Sequence, residues 1–439
     1  MPKPKDQSAR NLELPPVKFE AAGDSQEERD YNLQLVEPSP GFPTLMLMVA
    51  DVVMRHVDTA VFDFTPKAVA IRYLVDGVWH KMPAMDRESG DFMLATLKQL
   101  CGLNYRERRQ RQEGSCKALY FEKKFTLKVI SQGVPTGERV GIYLESKKPP
   151  RESLEDLGMR AKMREQLLPL LNAQTGLVVV TALPNEGFST LWRAILGGCD
   201  RFLRDHYVLD PAGQGEKEVI NFHSVTYDTS AGQTPQSLLP ELLLREPHVL
   251  AFSDLTDGAQ LNEICRLAKS VPLLTLTRLY SRHAIEALPR LLALKPDAKS
   301  LAENLTAVVS MRLVRKLCEY CKQPYQPAPQ VLAKLGIPPN RVQKFFRPLP
   351  FQPGKLDEEG NEIPPCDVCQ GLGYVGRTGV CELLQLTPAL REALQTNPRV
   401  DHLTRVAEEG GHISMRDEAV VLVAKGITSL EELQRVFSK

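Results

Sequence analysis

Four of the nine cysteines fall into two Cys-x-x-Cys pairs, Cys318-Glu-Tyr-Cys321 and Cys366-Asp-Val-Cys369. A pair at that spacing can bring two thiolates to one ion on a tight turn. Two such pairs complete a tetrahedral sulfur site of the kind that suits zinc. The stretch 322–365 between them exceeds ordinary zinc-finger spacing, so a metal would clip a long loop onto its domain. No histidine or open ligand position is implied, so the expected role is structural. The alternative, four unrelated buried thiols, sits poorly with the doubled spacing. Cys101, Cys116, Cys199, Cys265 and Cys381 read as ordinary core or surface residues. A basic run, Arg106-Glu-Arg-Arg-Gln-Arg111, has no interleaved aromatics. It reads as a solvated face or subunit contact rather than a nucleic-acid stripe.

The elements that must carry these residues follow from composition and pattern. A chain of 439 residues is too long for one small core and suggests roughly two to four domains. Apolar content of 43% and charged content of 25% are those of an ordinary globular protein. A net charge of +1 proposes neither nucleic acid nor an anionic membrane as partner. No apolar run approaches the ~18 residues of a spanning helix. The basic N-terminus lacks the apolar segment of a secretory signal. Paired cysteines with no disulfide pattern suit a reducing compartment. The expected location is therefore cytoplasmic, with peripheral docking at an inner membrane through partners.

Residues 1–40 are polar and aperiodic and read as a disordered tail. Residues 41–147 read as a small α+β domain. A helix ends near His56, and Val61–Phe64, Ala68–Val75 and Val78–Met82 are strands, with Asp76-Gly77 as a hairpin turn. A helix over Phe92–Cys101 and two further strands close that domain. Residues 148–155 read as a linker. From 156 to 439, helical stretches alternate with buried-strand candidates at Gly176–Thr181, His206–Leu209, His248–Ser253 and Pro272–Leu276, which implies a parallel α/β sheet. Further helices are expected at 388–396, 416–424 and 428–437.

The run Gly373-Tyr-Val-Gly376-Arg377-Thr-Gly379 resembles the Gly-Tyr-x-Gly-Arg-x-Gly signature of type II secretion and type IV pilus assembly ATPases. In that family it directly follows the second cysteine pair of a tetracysteine zinc module, and the module region here spans about 311–385. Met311-Arg312-Leu-Val-Arg315-Lys-Leu-Cys318 resembles the family's Gln-Arg-Leu-Val-Arg-x-Leu-Cys, with methionine for glutamine. Ser414-Met-Arg-Asp417 and Gly426–Glu432 are similar to its closing helices. Tyr73–Val78, Glu107-Arg108-Arg109 and Pro135-Thr-Gly-Glu138-Arg139 are similar to its first-domain motifs. The resemblance runs from about Gly41 to the C-terminus. It implies a small α+β domain, then a RecA-like P-loop NTPase domain, assembling as a hexamer.

A phosphate loop surrounds phosphates with backbone N–H groups, reaches them with a lysine and holds Mg²⁺ through a hydroxyl. The matching segment here reads Thr181-Ala-Leu-Pro-Asn-Glu186-Gly187-Phe188-Ser189-Thr190. The resemblance thus retains Gly187, Ser189 and Thr190 as nucleotide-binding candidates and puts Phe188 where the family has lysine. Glu186 adds negative charge where a helix N-terminus would favour an anion. The family's Glu-Asp-Pro appears as Leu209-Asp210-Pro211. Its Walker-B-like acid corresponds to Asp254, one methylene shorter, and its following arginine to Thr256. Its histidine box corresponds roughly to Thr275–Arg278, and a first-domain arginine to Ser115. Ser189, Thr190 and Asp254 could equally cap a helix or line a solvated edge.

The expected function is a catalytically degenerate scaffold or regulatory subunit of a secretion or pilus machine. Its expected setting is a homo- or hetero-hexamer beside inner-membrane platform proteins, with structural zinc and with ATP·Mg²⁺ doubtful. Neither nucleic acid nor membrane insertion is expected. A second reading is an active ATPase in which a basic residue such as Arg278, or one from a neighbouring subunit, replaces the lysine. A third, a zinc-clipped nucleic-acid module, conflicts with the near-zero charge.

Overall fold

A computed structural model describes residues 16–146, 153–213, 218–338, 342–356 and 359–438. The chain divides into two compact units, Met1–Pro149 with Leu349–Gly376, and Pro150–Pro348 with Arg377–Lys439.

The first unit is built on one antiparallel sheet: β1 Lys18–Glu20, β2 Val57–Phe64, β3 Ala68–Val75, β4 Val78–Asp86, β5 Gln112–Tyr120, β6 Lys123–Val134 and β7 Gly137–Ser146. The spatial order is β1-β5-β6-β7-β2-β3-β4. Three helices accompany it, α1 Gln26–Val36, α2 Gly41–Met54 and α3 Arg87–Leu100. Phe62, Phe64 and Val69 from the strands share one core with Leu45 and Val49 of α2 and Leu97 of α3. At the β3–β4 turn Asp76 and Gly77 both take positive φ, 50° and 79°. Two successive positive φ values are what a two-residue hairpin turn matched to strand twist requires. The Asp76 carboxylate also accepts the Gly376 N–H at 2.7 Å.

The expected disordered tail is corrected here. Residues 1–15 lie outside the described residues, but β1 pairs antiparallel with β5 and buries Phe19 in the core. Ser25 caps α1 by accepting the Glu28 N–H at 3.1 Å, and Val36 is buried beneath that helix. Polar composition hid these elements because each buries very few side chains.

The second unit carries the parallel sheet. Its elements in order are α4 Ala161–Leu171, β8 Gly176–Ala182, α5 Phe188–Gly197, β9 His206–Pro211, β10 His223–Tyr227, α6 Pro235–Leu243, β11 Val249–Phe252, α7 Gly258–Ser270 and β12 Leu274–Tyr280. Then come α8 Ala284–Ala293, α9 Ala298–Asn304, β13 Leu305–Leu317, β14 Gln323–Tyr325, α10 Pro329–Lys334 and β15 Phe345–Arg347. The last are β16 Tyr374–Gln385, α11 Pro388–Thr396, α12 Val400–Glu409, α13 Met415–Ala424 and α14 Leu430–Phe437. The strand order is β10-β9-β11-β12-β8-β13-β16, with β14 and β15 forming a separate ribbon. Every pairing from β10 through β13 is parallel.

All seven residues of β8 are buried, as expected of a central strand covered on both faces. Leu177 and Val179 enter one core, Val178 and Val180 the other. Two boundaries differ from the sequence reading. Of the expected linker, 148–152 lies outside the described residues, while Leu154 is buried in this unit's core together with Leu157 and Met159. The first helical stretch expected after residue 156 begins only at Ala161. The two ends of the segment 311–385 belong to β13 and β16 of the main sheet.

Candidate functional site

Strands β8, β9, β11 and β12 end their parallel run on one edge of the sheet, and α5 starts there after the loop 183–187. In open parallel sheets, ligands bind outside the carboxyl ends of the strands. The loop turns tightly, with the Glu186 N–H donating to the Leu183 carbonyl at 3.1 Å. Gly187 is the residue before α5 and has φ 81°, a left-handed conformation that disfavours a side chain. A Cβ there would also lie 2.8 Å from the Met311 methyl.

Phe188 opens α5 and is 9% exposed. Its ring centroid lies 4.9 Å from that of Tyr280. The Arg278 guanidinium lies over it at 5.5 Å and over the Trp192 ring at 5.7 Å. Residues 188 and 192 are one helical turn apart, which puts both rings on one face for the cation. Arg278 is itself buried and donates from Nε to the Ser253 carbonyl. An aromatic pair and an internal cation therefore occupy the ground beside the first turn of α5. Ser189 is exposed and Thr190 half-buried on that turn. Neither caps α5, since the capping position is Gly187, which has no side chain to do so.

Glu186 does not add its charge to the loop alone, as its position in the sequence suggests. Its carboxylate accepts the Leu313 N–H at 2.8 Å and pairs with Arg312 at 3.4 Å, both on β13. Asp210, at the end of β9, accepts from the hydroxyls of Ser253 and Ser224. Asp254 is half-buried, and its carbonyl accepts from Gln260 Nε2 at 2.7 Å. The cap of α7 is Asp257, which accepts the Gln260 N–H at 2.8 Å. Burial, with the negative charges of Asp254 and Asp210 beside it, pushes the Tyr227 phenol up to about 12. A cavity of about 30 Å³ opens among Trp192, Arg193, Asp210, Glu218, Phe222 and Ser224. That volume takes a water or two and is far below the several hundred Å³ of an ordinary ligand pocket.

The fold thus gathers Gly187, Phe188, Ser189, Asp210, Asp254 and Arg278 on one sheet edge. Trp192 and Tyr280 were not singled out from sequence. The i,i+4 spacing from Phe188 could have found Trp192. Tyr280 needed the pairing of β12 with β8, which sets it opposite Ala182.

The thiols of Cys318, Cys321, Cys366 and Cys369 lie within 4.8 Å of one another, a cluster that could hold a metal ion such as zinc. Each pair sits on the same kind of turn. The Cys318 carbonyl accepts the Lys322 N–H at 3.0 Å, and the Cys366 carbonyl accepts the Gln370 N–H at 2.7 Å. The Cys369 sulfur also accepts the Gly373 N–H at 3.3 Å. Cys318 and Cys369 are buried, the other two half-buried.

A parallel sheet with a strand–loop–helix at its carboxyl edge defines the class: an α/β fold with a central parallel sheet. The structure is similar to that of the Legionella pneumophila ATPase DotB, with a TM-score of 0.54 and 13% identity over 91% of this chain and 96% of that one. The family model for Type II/IV secretion system proteins matches residues 35–435, and the chain belongs to that family. It is 28% identical to a protein transport protein HofB homolog of Escherichia coli, covering 84% of this chain and 75% of that protein. It is 24% identical to the type II secretion system protein E of Pseudomonas aeruginosa, over 95% and 79% of the two chains. To the type IV pilus assembly ATPase PilB of the same organism it is 25% identical, over 89% and 66%. No helix among the described residues is long and apolar enough to cross a membrane.

Proposed function

We propose that this chain is a pseudo-ATPase member of its family, a scaffold or regulatory subunit of a secretion or pilus assembly machine. The observation that carries the reading is the packing of Phe188, Trp192, Tyr280 and Arg278 beside the first turn of α5. Phe188 takes the position of the family's lysine, and Arg278 lies across it, bonded to the Ser253 carbonyl. A phosphate approaching the first turn of α5 would meet no lysine there, only an aromatic ring packed against an internal guanidinium. Gly187, Ser189, Thr190 and Asp254 are then vestiges of a nucleotide site. Isothermal calorimetry with millimolar ATP and Mg²⁺ tests this, and the expected outcome is no binding heat. Hydrolysis well above that of an Asp254→Ala control would sink the reading.

The position of Arg278 favours one alternative, an active ATPase in which that guanidinium serves in place of the lysine. It requires ATP binding that Arg278→Ala abolishes and Ser189→Ala weakens.

The four thiols suit structural zinc, because an all-sulfur set closes the coordination shell and leaves no position for a substrate. The hexameric habit implied by the family resemblance, in a homo- or mixed ring, and peripheral association with inner-membrane platform proteins on the cytoplasmic side complete the reading. The names of the relatives, among them a type II secretion system protein and a pilus assembly ATPase, support it.

A further inference from the structure

A second cavity, of about 200 Å³, lies in the second unit away from the phosphate edge. Its lining includes Arg160 and Lys162 at the start of α4, Leu383 of β16, Leu390 of α11, and His412 between α12 and α13. Nothing in the proposed function uses these residues.

His412 is the central observation. Its side chain is 5% exposed, and its Nε2 lies 2.9 Å from Glu382 Oε1. The other Glu382 oxygen accepts the Ala284 N–H at 2.7 Å at the start of α8, so the carboxylate is held from behind and the ring with it. His412 Nδ1 is buried without a hydrogen-bond partner. A buried polar atom in that state calls for a water or a ligand. A second such atom belongs to the same lining: Arg160 Nε is buried and unpartnered, although the Arg160 guanidinium is bonded to Glu418. Lys162 is exposed beside it.

Charge and surface select the ligand class. The charged lining is Arg160, Lys162 and Glu418, which leaves an excess positive charge before the imidazole is counted. The rest is largely apolar, with Met163, Leu383, Leu390 and Ala407 among it. An acidic head serves Nδ1 in either state of the ring. It donates an O–H to the neutral imidazole or accepts from the imidazolium, which Glu382 stabilises from the far side. It also accepts from Arg160 Nε.

We infer that this cavity binds a small organic anion, its acidic head on His412 and Arg160 with Lys162 nearby, and its apolar body against Met163 and Leu390. The site is independent of whether ATP is bound or hydrolysed at the sheet edge.

Benzoate is the probe, with benzamide as its neutral counterpart and inorganic phosphate as a head without a body. The readout is the His412 ring signals in the full chain labelled at histidine. Benzoate is expected to shift them saturably, and benzamide to bind about tenfold more weakly, as phosphate should. Lys162→Ala, a change at an exposed side chain, should weaken benzoate about threefold at low salt. His412→Gln, which removes the reporting ring, should abolish the saturable benzoate binding that calorimetry reads in the parent chain. If that variant does not fold, the Lys162→Ala result and the benzamide comparison still decide. Unshifted ring signals at saturating probe would mean that a water alone satisfies Nδ1, and the inference would fall. It falls equally if benzamide matches benzoate, or if phosphate does.

Discussion

Phe188 and Arg278 set the character of the sheet edge beside α5. A lysine at 188 would place an ammonium in a site already 9% exposed and already holding a guanidinium. Like charges in a desolvated pocket repel, and the aromatic contacts to Tyr280 and Arg278 would be lost with the ring. Phe188→Lys is therefore expected to destabilise the chain by about 3 kcal/mol and to restore no ATP binding by itself. Urea denaturation and calorimetry on the same variant check both halves. Recovery of tight ATP binding would mean that Arg278 leaves readily, against the pseudo-ATPase reading. That Phe188 follows Gly187 in the loop after the central strand was legible in the sequence. That Arg278 lies over its ring was not, because the two come together only through the pairing of β12 with β8.

Among the elements, α14 is fastened to β13 through one acid. Glu432 is fully buried and accepts from Arg315 at 2.7 Å and from Arg435 at 2.6 Å, as well as from the Arg315 N–H at 3.0 Å. Burial alone would raise its carboxyl. Hydrogen bonds from Arg435 and Arg315 outweigh burial and hold it below the ordinary 4.5. A carboxylate held low in the folded state contributes stability that is complete above the unfolded value. That contribution is lost as pH falls through the folded one. Thermal melts should therefore show a loss of stability below about pH 4.5 that Glu432→Gln reduces. At neutral pH the same change should cost about 3 kcal/mol, because two guanidinium groups lose their counter-charge. A Glu432→Gln melt indistinguishable from the parent would show that the pair is dispensable. The sequence marks α14 as a helix, but not this attachment, since Arg315 and Glu432 lie far apart along the chain.

For the whole molecule, the cysteine cluster joins stretches of chain widely separated in sequence. A metal that closes so long a loop stabilises the folded state against the open chain. Metal analysis of the purified protein is expected to find about one zinc ion per chain. The double variant Cys318→Ser, Cys366→Ser should lose it and melt at lower temperature, and a strong chelator should lower the melt of the parent alone. Zinc-free protein with an unchanged melt would remove the metal from the account. At this scale the sequence carried the alternation of strands and helices, because buried parallel strands read as apolar runs bounded by turns. It misjudged residues 16–40, where a three-residue strand and a helix with one buried position leave almost no periodic trace.

By itself the sequence determined the family, the paired cysteines and the central strand. All of these are written in local order and spacing. Only the tertiary structure decided that Glu186 turns to β13, that Arg278 covers Phe188, and that His412 is left with a buried, unpartnered nitrogen beside a cavity. Each of those depends on which strands and helices become neighbours, and a side chain's partner across a sheet is not encoded in the residues next to it.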